Sequence, residues 1–486
     1  MNYARRILAW CLTVFIASVI MINAFAPAFH KTVSAETKAG MNNLVAESKQ
    51  TGSEGVLCID DNEDALLWRL RMLGAAEESV VFSTFDFRPD DSGMAIMSAI
   101  YNIAQRGIKV QLLIDGLNQQ MFLGNNTAFK ALCAHENIEV RTYNPISLKN
   151  VYAINYRMHD KYMIVDDRMY ILGGRNINDN FLGTPKEDSS IDRELLVYNT
   201  GNNTGASYLQ LKAYFTEIWN EPCVRRLDPH ISEKVIKEEY EHFEGIYVQL
   251  LQDHPEIESY DGWEINLHTA NSITLLSNGT HNGKKEPKLL YEMEQLAAAG
   301  SDVIIQTPYV IADRAMYNTL SNISENADVQ IFLNAVESGL NPWGCSDYLN
   351  NKKQILNTGV TLHEVFSPLS IHTKTVLVDD HLSIVGSFNF DMRSNYLDTE
   401  LMLVVDSENL NAELRNMAEE YQHSSLTILP DGTANVGEQY EQRQLPIMKR
   451  LMYGFLQIII LPFRHLLYSK RHQLSVDSRC RFFNIC

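Results

Sequence analysis

The chain has 486 residues, 45% of them hydrophobic and 21% charged, with a formal net charge of −19. That apolar content over that length excludes a disordered chain and can fill roughly two buried cores. The acidic balance argues against a nucleic-acid enzyme, which carries a basic footprint, and seven scattered cysteines with no close-spaced pair give no metal-ligand pattern.

In chain order, Arg5 and Arg6 precede an almost continuously apolar run from Ile7 to Phe29. The run is long enough to cross a bilayer, and the basic residues before it favour an inside N-terminus with the remainder exported. Two readings fit: an uncleaved anchor, favoured by the length of the run, and a signal peptide cleaved after Val33-Ser34-Ala35. Residues 31–55 are polar and contain Gly and Ser, the composition of a linker. Strand patterns at Val80–Phe85, Lys109–Asp115, Tyr162–Asp166 and Tyr170–Leu172 then alternate with helical ones at Glu63–Gly74 and Met94–Gln105, which predicts an α/β unit. A charged stretch near Pro229–Gly262 is predicted to separate the halves. The pattern returns as helix Lys288–Ala299, strand Val303–Thr307, helix Arg314–Ser324 and strand Val329–Asn334. Between Arg443 and Cys486 stand eight Lys or Arg and one acidic residue, a net +7, so the rest of the chain carries −26. The apolar stretch Leu451–Phe463 within that tail is short for a span. Two readings fit it equally, a segment in the headgroup layer of an anionic membrane and a helix packed on the body.

One constellation occurs twice. His159, Lys161, Asp166, Gly173, Gly174 and Asn176 recur with every spacing kept as His372, Lys374, Asp379, Gly386, Ser387 and Asn389. Residues two apart on a strand point to one face, so each His-x-Lys pair can address a single phosphate. Cleaving a phosphodiester needs a nucleophile, an acid for the leaving alkoxide and positive charge around the phosphoryl oxygens. Two imidazoles and two lysines supply all three without a metal, so one half-site is incomplete and two facing halves make a whole. The remaining histidines, such as His230, His254, His268 and His363, have no repeated partner and read as structural or exposed.

At these residues the chain resembles the phospholipase D superfamily, whose signature is His-x-Lys-x4-Asp followed by Gly-Ser-x-Asn. RMHDKYMIVDDRMYILGGRNINDNFLG and IHTKTVLVDDHLSIVGSFNFDMRSNYLDTE are similar to the bacterial cardiolipin synthase branch, as are TPYVIAD at Thr307–Asp313 and FRPDDSG at Phe87–Gly93. The resemblance covers residues from about 56 to 430. It implies two phospholipase D-like α/β units related by a pseudo-twofold, residues 56–255 and 256–430, with the active site at their interface. They would be preceded by a transmembrane anchor (1–30) and a linker (31–55), and followed by a basic amphipathic tail (431–486). It also implies His159 as nucleophile through a phosphohistidine and His372 as general acid, with the reverse assignment open. Lys161, Lys374, Asn176 and Asn389 would hold phosphoryl oxygens, and Glu194 and Glu400 would each orient an imidazole. Asp166 and Asp379 are expected to satisfy loop backbone groups. Gly174 departs from the family's Ser, so a hydroxyl contribution from the first half is in doubt. The implied activity is phosphatidyl transfer on a phospholipid membrane, with phosphatidylglycerol or another glycerophospholipid as substrate. Hydrolysis by the same site and nucleic-acid cleavage are the alternatives. Neither an organic cofactor, a metal, a nucleic acid nor an obligate protein partner is expected.

Overall fold

The computed structural model describes residues 3–25, 30–47, 54–201, 206–441 and 444–467. Two nine-stranded sheets dominate it. In spatial order the first runs His268–Thr269, Glu54–Ile59, Glu194–Asn199, Met169–Gly173, Tyr162–Val165, Ser79–Thr84, Lys109–Asp115, Ile138–Tyr143, Val224–Arg226. The second runs Ser272–Ser277, Leu401–Asp406, Leu382–Gly386, Thr375–Val378, Asp302–Gln306, Asp328–Asn334, Thr361–Val365, Ser425–Ile428, Ala434–Val436. Without one edge strand at opposite ends, the two orders are the same, which is the duplication expected from the repeated motif.

Strand alternation explains the layering. In Tyr162–Val165 and Met169–Gly173, Met163, Val165, Met169 and Ile171 face an outer core with Ile96, Ile100, Phe243 and Tyr247 from the covering helices. Tyr162, Ile164, Tyr170 and Leu172 face the opposite way, into a core shared with Phe332, Val385, Leu401 and Leu403 of the second half. Both faces of each sheet are therefore buried, as their near-continuous apolar strands require. The two halves meet along this layer, which also holds Leu211 and Phe215 of helix Ala206–Trp219 and Leu410 and Leu414 of helix Glu408–His423, while helices such as Asp91–Gln105 and Glu233–Asp253 cover the outside. Truncating a fully buried residue of the shared layer, such as Leu403→Ala, is expected to cost about 2–5 kcal/mol.

Several expectations need correction. The charged stretch placed between the halves is the 21-residue helix Glu233–Asp253, which packs on the first half through buried Phe243 and Tyr247. Strand pairing moves the boundary later, because Gly55 and Val56 pair with Thr269 and His268, while Ser272 already pairs with Asp406. The segment read as a linker contains the helix Ala35–Glu47. It lies against the second half, where the Ser34 N–H donates to Glu286 (2.6 Å) and His30 stacks on Tyr396 (4.2 Å between centroids). The predicted anchor Ile7–Phe29 extends beyond the described residues at 26–29. A helix covers Tyr3–Phe25, and no helix among the described residues is long and apolar enough to cross a membrane. The tail forms the helix Ile447–Leu467, and residues 468–486 lie outside the described set.

Candidate active site

Each histidine sits where its chain crosses to the other half. Met158 bridges Thr399, and the His159 N–H donates to the Thr399 carbonyl (3.2 Å). Ser370 and Ile371 pair with Ser190 and Ile191, and the His372 N–H donates to the Ile191 carbonyl (2.7 Å). These two short parallel bridges put each imidazole against a carboxylate of the opposite half. His159 Nδ1 lies 2.9 and 3.1 Å from the Glu400 oxygens, and His372 Nδ1 lies 2.5 Å from Asp192 Oδ2. Nδ1 is thereby used on both rings, leaving Nε2 as the nitrogen available to a substrate.

The carboxylate at His372 is thus Asp192, and the pairing predicted for Glu194 is absent. Glu194 instead bonds Arg69 and lies 3.7 Å from Arg175, all three fully buried or nearly so. Strand register gives the reason. Gly173 pairs with Glu194, whereas Gly386, its counterpart, pairs with Met402. Aligning Asp-Arg-Glu with Asp-Thr-Glu by eye is therefore two residues out, and the place that Glu400 holds in the second half belongs to Asp192 in the first. Gly174 fits this exchange. A β-carbon there would come within 2.5 Å of Asp192 Oδ2, so glycine makes room for the shorter acid. In the second half Ser387 occupies that place, and its hydroxyl donates to Glu400.

The lysines line the same seam. Lys161 Nζ donates to the His159 carbonyl (2.5 Å) and lies 5.3 Å from the Phe85 ring centre. Lys374 Nζ bonds the His372 carbonyl and reaches Asp192 at 3.2 Å. Phe85 and Phe181 set ring edges against His159 and His372 at 5.0 and 5.1 Å. These aromatic walls and Asp192 escaped the sequence reading; the one signal for Asp192 was the Gly174 departure. Asn176 accepts from the Asp86 N–H (3.3 Å), and the Asn389 amide oxygen is buried without a hydrogen-bond partner. Asp166 and Asp379 are remote from the imidazoles. Both adopt the left-handed region (φ 52° and 49°) and accept from loop amides, Asp166 from residues 77–79 and Asp379 from Ser301 and Asp302.

Burial and neighbouring lysines decide the charge state. Burial, then Lys161, holds the His159 imidazole well below its usual value; burial, then Lys374, takes His372 down to about 4 against the pull of Asp192. Burial lowers Lys161 to about 7, against the pull of Glu400, and also lowers Lys374. Burial likewise lifts the Glu400 carboxyl to about 8. Asp192 differs: burial pushes it up, but Lys374 and His372 outweigh that and keep it strongly ionised. The seam thus gathers two imidazoles and two lysines whose protonated forms are disfavoured by burial and by one another, a pressure that a phosphate anion would relieve. Among the described residues no cluster of three or more His, Cys, Asp or Glu side chains could hold a metal ion.

Comparison with known proteins agrees with the duplicated fold. The family model described as "Cardiolipin synthase, PLD-like domain" matches residues 70–219 and 293–421, more than half of the chain and one segment per half. Cardiolipin synthase C of Escherichia coli K12 is 26% identical over 403 residues, covering 75% of this chain and 84% of its own. Cardiolipin synthase 1 of Bacillus cereus is 24% identical, covering 80% and 69%. A phosphatidylserine synthase from Haemophilus influenzae Rd KW20 shares the fold with a TM-score of 0.60 at 17% identity, over 89% of this chain and all of its own.

Proposed function

Since the chain belongs to the cardiolipin synthase family of phospholipase D-like proteins, we propose that it is a phosphatidyltransferase working through a covalent phosphohistidine. The observation that carries this reading is the pair of imidazole–carboxylate dyads, each assembled from both halves, with a lysine beside each ring. A phosphodiester between the two rings meets a neutral imidazole held by Glu400 and an imidazolium, protonated as the anion binds, held by an ionised Asp192. His159 Nε2 attacks phosphorus and the bond to the headgroup oxygen breaks, His372 giving that oxygen its proton. The same imidazole, now a base, takes the proton of an incoming lipid hydroxyl, whose oxygen displaces His159. Lys161, Lys374, Asn176 and Asn389 stabilise the phosphoryl oxygens as charge develops.

The asymmetry between halves supports this order of roles. An ionised Asp192 favours a protonated partner, which suits the acid. Burial lifts the Glu400 carboxyl to about 8, so less negative charge stands beside His159 to draw a second proton onto that ring, which suits a neutral nucleophile. Phosphatidylglycerol is the acceptor implied by the family, and the membrane is where both substrates reside. Lipid mass spectrometry of a host lacking its own cardiolipin synthases, expressing this chain or His159→Ala, tests the reading. Cardiolipin appearing only with the intact chain supports it. A rise in phosphatidic acid alone would assign hydrolysis, and an unchanged lipid profile would contradict both.

A further inference from the structure

The loops after the parallel strands all emerge at one edge of the two sheets, and the histidines lie there too. Tyr162 and Thr375, which follow the His-x-Lys pairs, are opposite Ser83 and Gln306 at the ends of their neighbouring strands. Those loops carry large apolar side chains into solvent. Met121 follows strand Lys109–Asp115, Leu148 (88% exposed) and Tyr152 follow Ile138–Tyr143, and Leu340 and Trp343 (53%) follow Asp328–Asn334. Each is tied closely to the site. Met121 shares a turn with Phe122, which Arg88 overlies while pairing with Asp86. The Leu148 loop leads to Asn155, which accepts from Arg393, itself paired with Asp398 two residues before Glu400. The helix Pro342–Leu356 starts against Tyr309, and Asn334 before it bonds the backbone on either side of Ile371, next to His372.

Both terminal helices lie against the same edge. The Phe15 ring sets its edge on Tyr152 (6.0 Å), and Ser18 shares a hydrogen bond with the Tyr152 hydroxyl (3.2 Å). Helix Ile447–Leu467 packs on Pro342–Leu356 and the loop before it through buried Tyr453, the Asn350 bond to the Gln457 carbonyl and the Lys449 bond to the Glu337 carbonyl. Its other side, including Met448, Leu451, Phe455 and Ile458, is exposed.

We propose that this edge is a bilayer-docking face, which sets the mouth of the active site directly on an anionic lipid surface. The identity of the surface rests on the phospholipid reading above; the face itself is a matter of geometry and charge. An apolar rim around a mouth lets a lipid slide from the bilayer to the seam without its chains crossing water. The body is strongly acidic and is repelled by anionic headgroups, whereas the helix Ile447–Leu467, with Lys449, Arg450 and Arg464 and no Asp or Glu, is attracted to them, so charge orients the chain with this edge down. A second copy on the same face would close the mouth that substrate must enter.

The test uses the full chain reconstituted into vesicles of phosphatidylcholine and phosphatidylglycerol with brominated acyl chains. Tryptophan emission of His159→Ala protein is compared with and without an added Trp343→Phe substitution, so that no turnover is needed. Quenching that falls when Trp343 is replaced places this residue in the lipid. Equal quenching in the two proteins, or a Trp343 shielded in a lipid-free dimer, would overturn the proposal. A Leu148→Asp, Trp343→Asp variant is expected to lose roughly tenfold or more of its turnover of vesicle lipid and to keep its turnover of a monomeric short-chain phospholipid. Equal loss on both substrates, or none on either, would also overturn it.

Discussion

At the scale of single residues, three neighbours show how one position's shift along a strand changes its task. Asp192 bonds His372, Arg193 reaches Gln306 and Thr375 in the other half, and Glu194 turns back to Arg69 in its own. Asp192→Asn is expected to lower kcat by roughly 10–100-fold at unchanged fold, whereas Glu194→Gln is expected to act on stability, costing about 3–5 kcal/mol by stranding buried arginines. Thermal melts and kinetics of the two variants check this together; the opposite pattern would restore Glu194 to the site. A second expectation concerns charge. Burial and crowding leave both imidazoles and Lys161 with lowered affinities for protons, and a bound phosphate anion reverses that pressure. Binding of a non-reactive phosphodiester near pH 7 is therefore expected to take up about one proton, read as a dependence of calorimetric heat on buffer ionisation. The duplicated His-x-Lys-x4-Asp pattern was legible in the sequence because its spacing is local. Asp192 was not, because a neighbouring strand's register decides which acid meets the ring.

At the scale of elements, strands and helices were legible where periodicity and caps agreed. Helix Arg314–Ser324 has its predicted bounds because Asp313 caps it, accepting from the Met316 N–H (3.0 Å). Helix Glu233–Asp253 was hidden by its composition, since only Phe243 and Tyr247 are fully buried and nine of its other residues are charged or His. The Asp166 and Asp379 turns are the joints between strands. Asp166→Ala removes the acceptor of three backbone amides and is expected to cost about 1–3 kcal/mol, with turnover per folded molecule unchanged; denaturant unfolding beside an active-site titration checks it. The Ala35–Glu47 segment is tied down partly by His30, whose imidazole lies 3.3 Å from Asp313. That hydrogen bond, opposed by burial, raises the His30 pKa above its ordinary value. A raised folded value contributes stability below the unfolded pKa of about 6.5 and loses it as pH rises through the folded one. Hydrogen exchange over 35–47 is expected to quicken with rising pH beyond its intrinsic dependence, and His30→Ala to remove the excess.

At the scale of the whole molecule, the two units are held together by the residues that make the site. The bridges at Met158–Thr399 and Ile371–Ile191 carry the histidines, and Arg193, bound at both ends to Asp60 and Gln306, ties the sheets behind them. Neither half can orient its own imidazole, so activity is a property of the docked pair. The pseudo-twofold was legible from the repeat, whereas the face that docks on lipid was not, because Met121, Leu148 and Trp343 come from separate loops that only the sheets gather. The most direct measurement is to quench turnover of a phospholipid carrying an isotopic label in its phosphate, under alkaline conditions that preserve phosphohistidine, and to locate the label by peptide mass spectrometry. The account predicts label on the peptide containing His159; label on His372 alone, or on no peptide under conditions where product forms, would contradict it.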